Sequence, residues 1–204
     1  MHYYSFPSLY ELAFKLPPLL LWRKKSLNAL IKTLTGLKDI HHPQTILDVG
    51  CGAGVLTKTL SKIYPGAEIL GIDKSNDMIG FAHKKYNQIA KFKQADFLAY
   101  EGKHDLVVSF YSFCFFPLNE GVEKIKHIIN QKGRCIIVTC GKAAFSVPHK
   151  LLLKKITGSQ IGLYSPKDFK ELLPVQEFDI SSKIISKTEG SFVLVISAKK
   201  TNDK

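Results

Sequence analysis

The 204-residue chain has no apolar run long enough to cross a bilayer. The longest, residues 16–22, is far short of the ~20 that a helical span needs, and Pro17-Pro18 interrupts it. No basic stretch followed by an apolar core opens the sequence, so no secretory signal is predicted. Internal repeats and low-complexity tracts are also missing. Cysteine is scarce: Cys51, Cys114, Cys135 and Cys140 are the four, and none stands at metal-ligand spacing. That pattern predicts no metal site and reduced thiols in a cytoplasmic protein. The last shortage is of acid, with 17 Asp and Glu against 29 Lys and Arg, a formal charge of +12. An acidic partner is favoured, whether nucleic acid, an anionic membrane face or an anionic small molecule. The lysines are spread, with short clusters at Arg23-Lys24-Lys25, Lys84-Lys85, Lys154-Lys155 and Lys199-Lys200, and spread charge also suits a plain solvated surface.

What the chain does have is residues 45–56, TILDVGCGAGVL. Thr45-Ile46-Leu47-Asp48-Val49 suits a strand buried on both faces of a parallel sheet. Val55, Leu56, Leu60 and Ile63 then recur at helical spacing, so the intervening glycines lie on a strand-to-helix turn. Glycine there permits positive φ and close approach of a ligand, toward which the first helical N–H groups point. The dinucleotide fingerprint G-x-G-x-x-G, counted from Gly50, requires glycine at 55, where valine stands. The pattern present is Asp48-x-Gly50-x-Gly52-x-Gly54. An acid at the end of the strand is badly placed for a pyrophosphate and well placed for a cationic aminoacyl group. Residues 68–73 read as a second strand ending in Asp73, where doubly wound sheets place a carboxylate that accepts from ribose hydroxyls. Gln94-Ala95-Asp96-Phe97 is a third landmark at a similar interval.

Together these stretches resemble the Rossmann-like (class I) S-adenosylmethionine-dependent methyltransferases, over about residues 45–198. The resemblance implies that Asp48, Gly50, Cys51, Gly52 and Gly54 hold the aminoacyl end of S-adenosyl-L-methionine, Asp73 the ribose, and Asp96 with Phe97 the adenine. Lys74 is counted with these cofactor residues, and Ser109 and Phe110 would line the cofactor near the methyl. Met78 reads either as an adenine contact or as core filler. The implied fold is three-layer α/β, with a seven-stranded, mostly parallel sheet whose last strand is antiparallel.

The rest of the chain fits that frame. Residues 1–44 form a helical arm, 45–204 the cofactor-binding domain. In the arm, residues 8–16 and 19–37 have helical spacing on either side of Pro17-Pro18. The arm reads as packing, as a lid over the site, or as a membrane contact through Leu19-Leu20-Leu21-Trp22 and Arg23-Lys24-Lys25. Tyr10-Glu11 followed by Trp22-Arg23 loosely resembles the quinone C-methyltransferases, which implies a lipid-like acceptor. Strands are expected at 90–95, 105–110, 133–139, 175–185 and 191–198, and helices from Ser75 to Tyr86, at 119–130, 142–157 and 165–173.

Between Phe110 and Phe116 stand five aromatics in seven residues, which read as an apolar wall for an acceptor or as a buried strand end. No catalytic base can be assigned; Tyr10, His149 and Tyr164 are the candidates, each with a plain structural reading beside it. The expected activity is methyl transfer to a small or lipid-like acceptor. An RNA methyltransferase and a non-catalytic cofactor-binding protein are the alternatives. The expected location is cytoplasmic, with peripheral attachment to a membrane as an extension of it.

Overall fold

A computed structural model describes residues 17–38, 42–141, 162–185 and 191–199. Tyr10, His149 and the helices expected at 8–16 and 142–157 lie outside these residues. Helix α1 runs Pro17–Lys38. Pro17 and Pro18 open it rather than break it, because N–H groups of a first turn have no partner inside the helix. Strand β1 (Thr45–Val49) leads through the glycine turn to α2 (Val55–Ile63), and β2 (Glu68–Asp73) leads to α3 (Asn76–Tyr86). The short β3 (Lys91–Gln94) and β4 (His104–Phe110) follow, then α4 (Leu118–Ile128) and β5 (Ile129–Cys140). The chain ends with α5 (Pro166–Leu172), β6 (Phe178–Ile184) and β7 (Ser191–Ala198).

All seven strands form one sheet in the order β3-β2-β1-β4-β5-β7-β6. Strands β1 to β5 pair in parallel, and β7 lies antiparallel between β5 and β6. Alternation along the central strands divides the core. Leu47, Val49, Val107, Cys135, Ile137 and Leu194 face one side, with Val122, Ile125, Phe169 and Phe113. Ile46, Leu106, Val108, Ile136, Val138 and Val193 face the other, with Leu30 and Leu34 of α1 and Leu56 and Leu60 of α2. Helix α3 lies beside α2, since a Cβ on Gly54 would touch Ala82 and Tyr86.

Expected boundaries move at two junctions. The helix expected to reach Asn130 stops at Ile128, and β5 starts at Ile129 instead of Gly133. Lys132 takes φ 63° and the pairing with β4 slips between His104 and Leu106, so an irregular turn joins the two parts of the strand. Residues 175–177 form a turn, and β6 begins only at Phe178.

Candidate functional site

The carboxyl ends of β1, β2 and β4 meet at the glycine turn. Gly50, Gly52 and Gly54 all have positive φ, at 66°, 52° and 78°. Gly50 is further required by packing, since a Cβ there would lie 2.3 Å from the Ser112 Cβ. A Cβ on Gly52 would meet nothing within 4 Å, so this glycine faces open space on the ligand side. The turn's amides point inward: Cys51 N donates to Ile72 O at 2.9 Å, Gly54 N to Cys51 O at 3.0 Å, and Gly52 N to Asp73 Oδ2 at 2.9 Å. Asp73 also accepts from Ser75 N at 2.9 Å through Oδ1. It therefore clamps the turn from the end of β2. Burial raises the Asp73 pKa against these backbone bonds.

Asp48 lies on the α1–α2 side of β1 and is 1% exposed. Its Oδ2 accepts from Thr57 Oγ1 at 2.6 Å. Burial is the main cause that pushes its pKa up to about 7; the Thr57 hydroxyl opposes the shift and the Asp73 carboxylate adds to it. Cys51 is buried, and burial together with the charges of Asp48 and Asp73 drives its thiol far up, so it is no nucleophile. Asp48, Gly50, Cys51, Gly52 and Phe110 line a cavity together with Arg23 of α1.

The α1 helix is fastened here. Ser26, fully buried, bonds to the Tyr111 hydroxyl at 2.6 Å. Tyr111 has φ 58°, a left-handed conformation that a non-glycine residue adopts at a cost of ~1–3 kcal/mol. Its N–H donates to Val138 O at 2.8 Å, which holds the turn after β4 in place. Beneath it Ser109 and Ser112 share a bond of 2.7 Å, and Ser112 donates onward to Val49 O. Among the described residues no cluster of His, Cys, Asp or Glu could hold a metal ion.

Residues 40–187 match the family described as methyltransferase domain. The chain belongs to this family.

The malonyl-[acyl-carrier protein] O-methyltransferase of Anoxybacillus flavithermus is 31% identical over 134 residues, 62% of this chain and 49% of that protein. Its counterpart in Acetivibrio thermocellus is 35% identical over 131 residues, 62% and 46% of the two chains. The chain spans about half the length of these curated relatives. Among solved structures, the magnesium protoporphyrin IX methyltransferase of Synechocystis with bound SAH has a TM-score of 0.67 at 21% identity, covering 89% of this chain and 85% of that one. The DhpI–SAH complex reaches 0.72 at 15% identity, covering 97% and 93%. These likenesses establish the fold.

Within the methyltransferase domain, the motif residues Asp48, Gly50, Cys51, Gly52, Asp73 and Phe110 come together at the carboxyl edge of the sheet. Others are drawn into packing. Phe97 is 3% exposed, against Phe113 and Phe116, and Met78 is 1% exposed. The Ser109 hydroxyl is spent on Ser112 rather than open to the cavity. Asp96 caps its own turn through Leu98 N and is bonded by the exposed Lys74 at 2.8 Å, which lowers its pKa. The Tyr164 hydroxyl donates to Phe116 O at 2.7 Å, and burial raises its pKa, an arrangement that anchors a loop and makes a poor base. Sequence reading missed Thr57, Ser112 and Arg23. The first two leave no spacing signal, and Arg23 was hidden inside a basic triplet.

Proposed function

We propose that the domain binds S-adenosyl-L-methionine and transfers its methyl group to a small or lipid-like acceptor. The observation that carries this reading is the left-handed glycine turn with its open Gly52 flank, clamped by Asp73 and lining one cavity with the buried Asp48. These residues fit the cofactor. Asp73 accepts from the backbone N–H groups of Gly52, Ser75 and Lys74, and a carboxylate has about four acceptor sites, which leaves room for a ribose hydroxyl. Asp48, poised near pH 7, becomes the ion when it meets an ammonium group. When bound, the cofactor supplies a methyl on a sulfonium, transferable by in-line displacement, a reaction that asks the protein mainly for orientation. Orientation is what the chain provides: the Ser109–Ser112–Val49 bonds lock the ends of β1 and β4 together, and the Ser26–Tyr111 bond sets α1 over them. Helix α1 thus acts as a cover on the site.

The acceptor class is supported by the relatives, named for malonyl-[acyl-carrier protein] and magnesium-protoporphyrin, and by half-buried aromatics at Phe110, Phe115 and Phe116. Phe113 belongs to the core, so the wall read from the sequence is thinner than five rings. Tyr10 and His149 remain the candidates for a base. A second reading concerns location: a cytoplasmic protein attached reversibly to an anionic membrane through α1. Leu21 there is 68% exposed, next to the exposed Lys24 and Lys25.

The test is thermal shift followed by labelling. S-adenosylhomocysteine should raise the melting temperature by linkage and NAD should leave it unchanged. Labelled cofactor with cell extract should then place the methyl in the lipid or metabolite fraction. Equal stabilisation by NAD would sink the assignment, and label in RNA would move the acceptor class.

A further inference from the structure

We propose that Arg23 is the residue that binds the carboxylate of the cofactor's aminoacyl end, delivered by α1 from outside the motif residues. The proposal rests on the cofactor reading above. Arg23 and Asp48 line one and the same cavity. An α-amino acid end carries an ammonium and a carboxylate on the same carbon, and two opposed charges are its complement. Asp48 answers the ammonium, which leaves the carboxylate to be held.

Three amides of the glycine turn are already taken. Anions at a strand-to-helix turn are ordinarily taken by backbone N–H groups. Here those of Cys51, Gly52 and Gly54 already donate to Ile72 O, Asp73 Oδ2 and Cys51 O. Two buried or half-buried carboxylates, Asp48 and Asp73, also face the turn and would repel a bare anion. A side-chain cation must offset them. A guanidinium does so with a planar fork that matches a carboxylate.

The chain also fixes which cation of the triplet does this. Ser26 follows Arg23 by three residues, hence on the same face of α1, and its bond to Tyr111 turns that face toward the glycine turn. Lys24 and Lys25 stay exposed. Arg23 is therefore withdrawn from the surface triplet and assigned to the site.

The experiment uses the full chain and three ligands measured by calorimetry. S-adenosylhomocysteine carries both charges, decarboxylated S-adenosylhomocysteine the ammonium alone, and 5′-methylthioadenosine neither. For Arg23→Gln the expected loss is about 10- to 100-fold for S-adenosylhomocysteine, the size of a lost charged hydrogen bond. The other two ligands should change less than about threefold. Arg23→Lys should recover part of that loss. Tyr111→Phe, which frees α1 but keeps the guanidinium, should weaken S-adenosylhomocysteine in the same selective way to a smaller extent; it and Arg23→Lys carry the test if Arg23→Gln melts early. An equal loss for all three ligands, or none, overturns the assignment of Arg23 while the cofactor reading stands. A folded wild type that binds none of the three overturns both.

Discussion

Two carboxylates define the site, and the protein treats them differently. Asp48 is buried at the cavity wall with one hydroxyl donor, Thr57, and its pKa rises to about 7 chiefly through burial. The unfolded chain releases that proton near pH 4. Between pH 4 and 7 the native state therefore holds a proton that the unfolded state has lost, and stability declines as pH rises across that window. Above the native pKa the loss is complete and the curve flattens. Asp48→Asn keeps the acceptor for Thr57 and removes the titration. Urea unfolding at pH 5 and pH 8 should show wild type losing ~2–3 kcal/mol relative to Asp48→Asn. Parallel curves would place the titration elsewhere.

Asp73 instead spends its oxygens on the N–H groups of Gly52 and Ser75, so it is a clamp as well as an acceptor. Asp73→Ala should weaken S-adenosylhomocysteine by a few kcal/mol, each bond to a charged acceptor being worth ~1.5–3. It should also lower the melting temperature in the absence of ligand, which an acceptor with no clamping role would not do.

At the scale of elements, the glycine turn separates packing from binding. Alanine at 50 or 52 must take a left-handed backbone, a cost of ~1–2 kcal/mol at each. Gly50→Ala also drives a methyl into Ser112, 2.3 Å away, which adds roughly 1–3 kcal/mol of overpacking. Gly52→Ala meets no protein atom. Denaturation should therefore rank Gly50→Ala as the less stable, and calorimetry should find that Gly52→Ala, though folded, binds S-adenosylhomocysteine poorly.

The sequence made this turn readable because strand, glycines and helix are consecutive, and β7 and the capped α5 were equally plain. The end of α4 was not. Ile128-Ile129 continues the helical spacing, and only the tertiary pairing of Ile129 with His104 turns the second isoleucine into strand. The burial of Phe113 was open for a related reason: composition shows an aromatic cluster that suits a wall or a buried strand end, and which of the two Phe113 takes depends on α5, whose Phe169 closes over it from far along the chain. Arg23 was illegible because its role comes from the Ser26–Tyr111 bond, across 85 residues of sequence.

Over the whole molecule, the charge of +12 is not evenly shared. On the α1–α3 side, Arg23, Lys24, Lys25, Lys32, Lys58, Lys62, Lys84 and Lys85 stand against one helical carboxylate, Asp77. On the other side, Lys124, Lys126, Lys167 and Lys170 of α4 and α5 are matched by Glu120, Glu123, Asp168 and Glu171. Ion pairs Lys124–Glu101, Lys126–Glu123 and Lys167–Glu171 tie several of them down. A field of one sign on one face orients the protein toward a polyanion, and the exposed Leu21 beside Lys24 and Lys25 gives that face an apolar foot. No described helix is long and apolar enough to cross a membrane. If the membrane reading holds, the protein should co-sediment with anionic vesicles at low salt and leave them at high salt, as screened charges do. Each cation near such a surface adds about 1 kcal/mol, so Lys24→Gln with Lys25→Gln should cut binding roughly tenfold or more. Lys167→Gln with Lys170→Gln, on the balanced side, should change it little. Because Arg23 is left in place, both pairs should retain their affinity for S-adenosylhomocysteine. No sedimentation at low salt would end the membrane reading, and equal losses from the two pairs would show that net charge alone, not the α1 face, governs attachment.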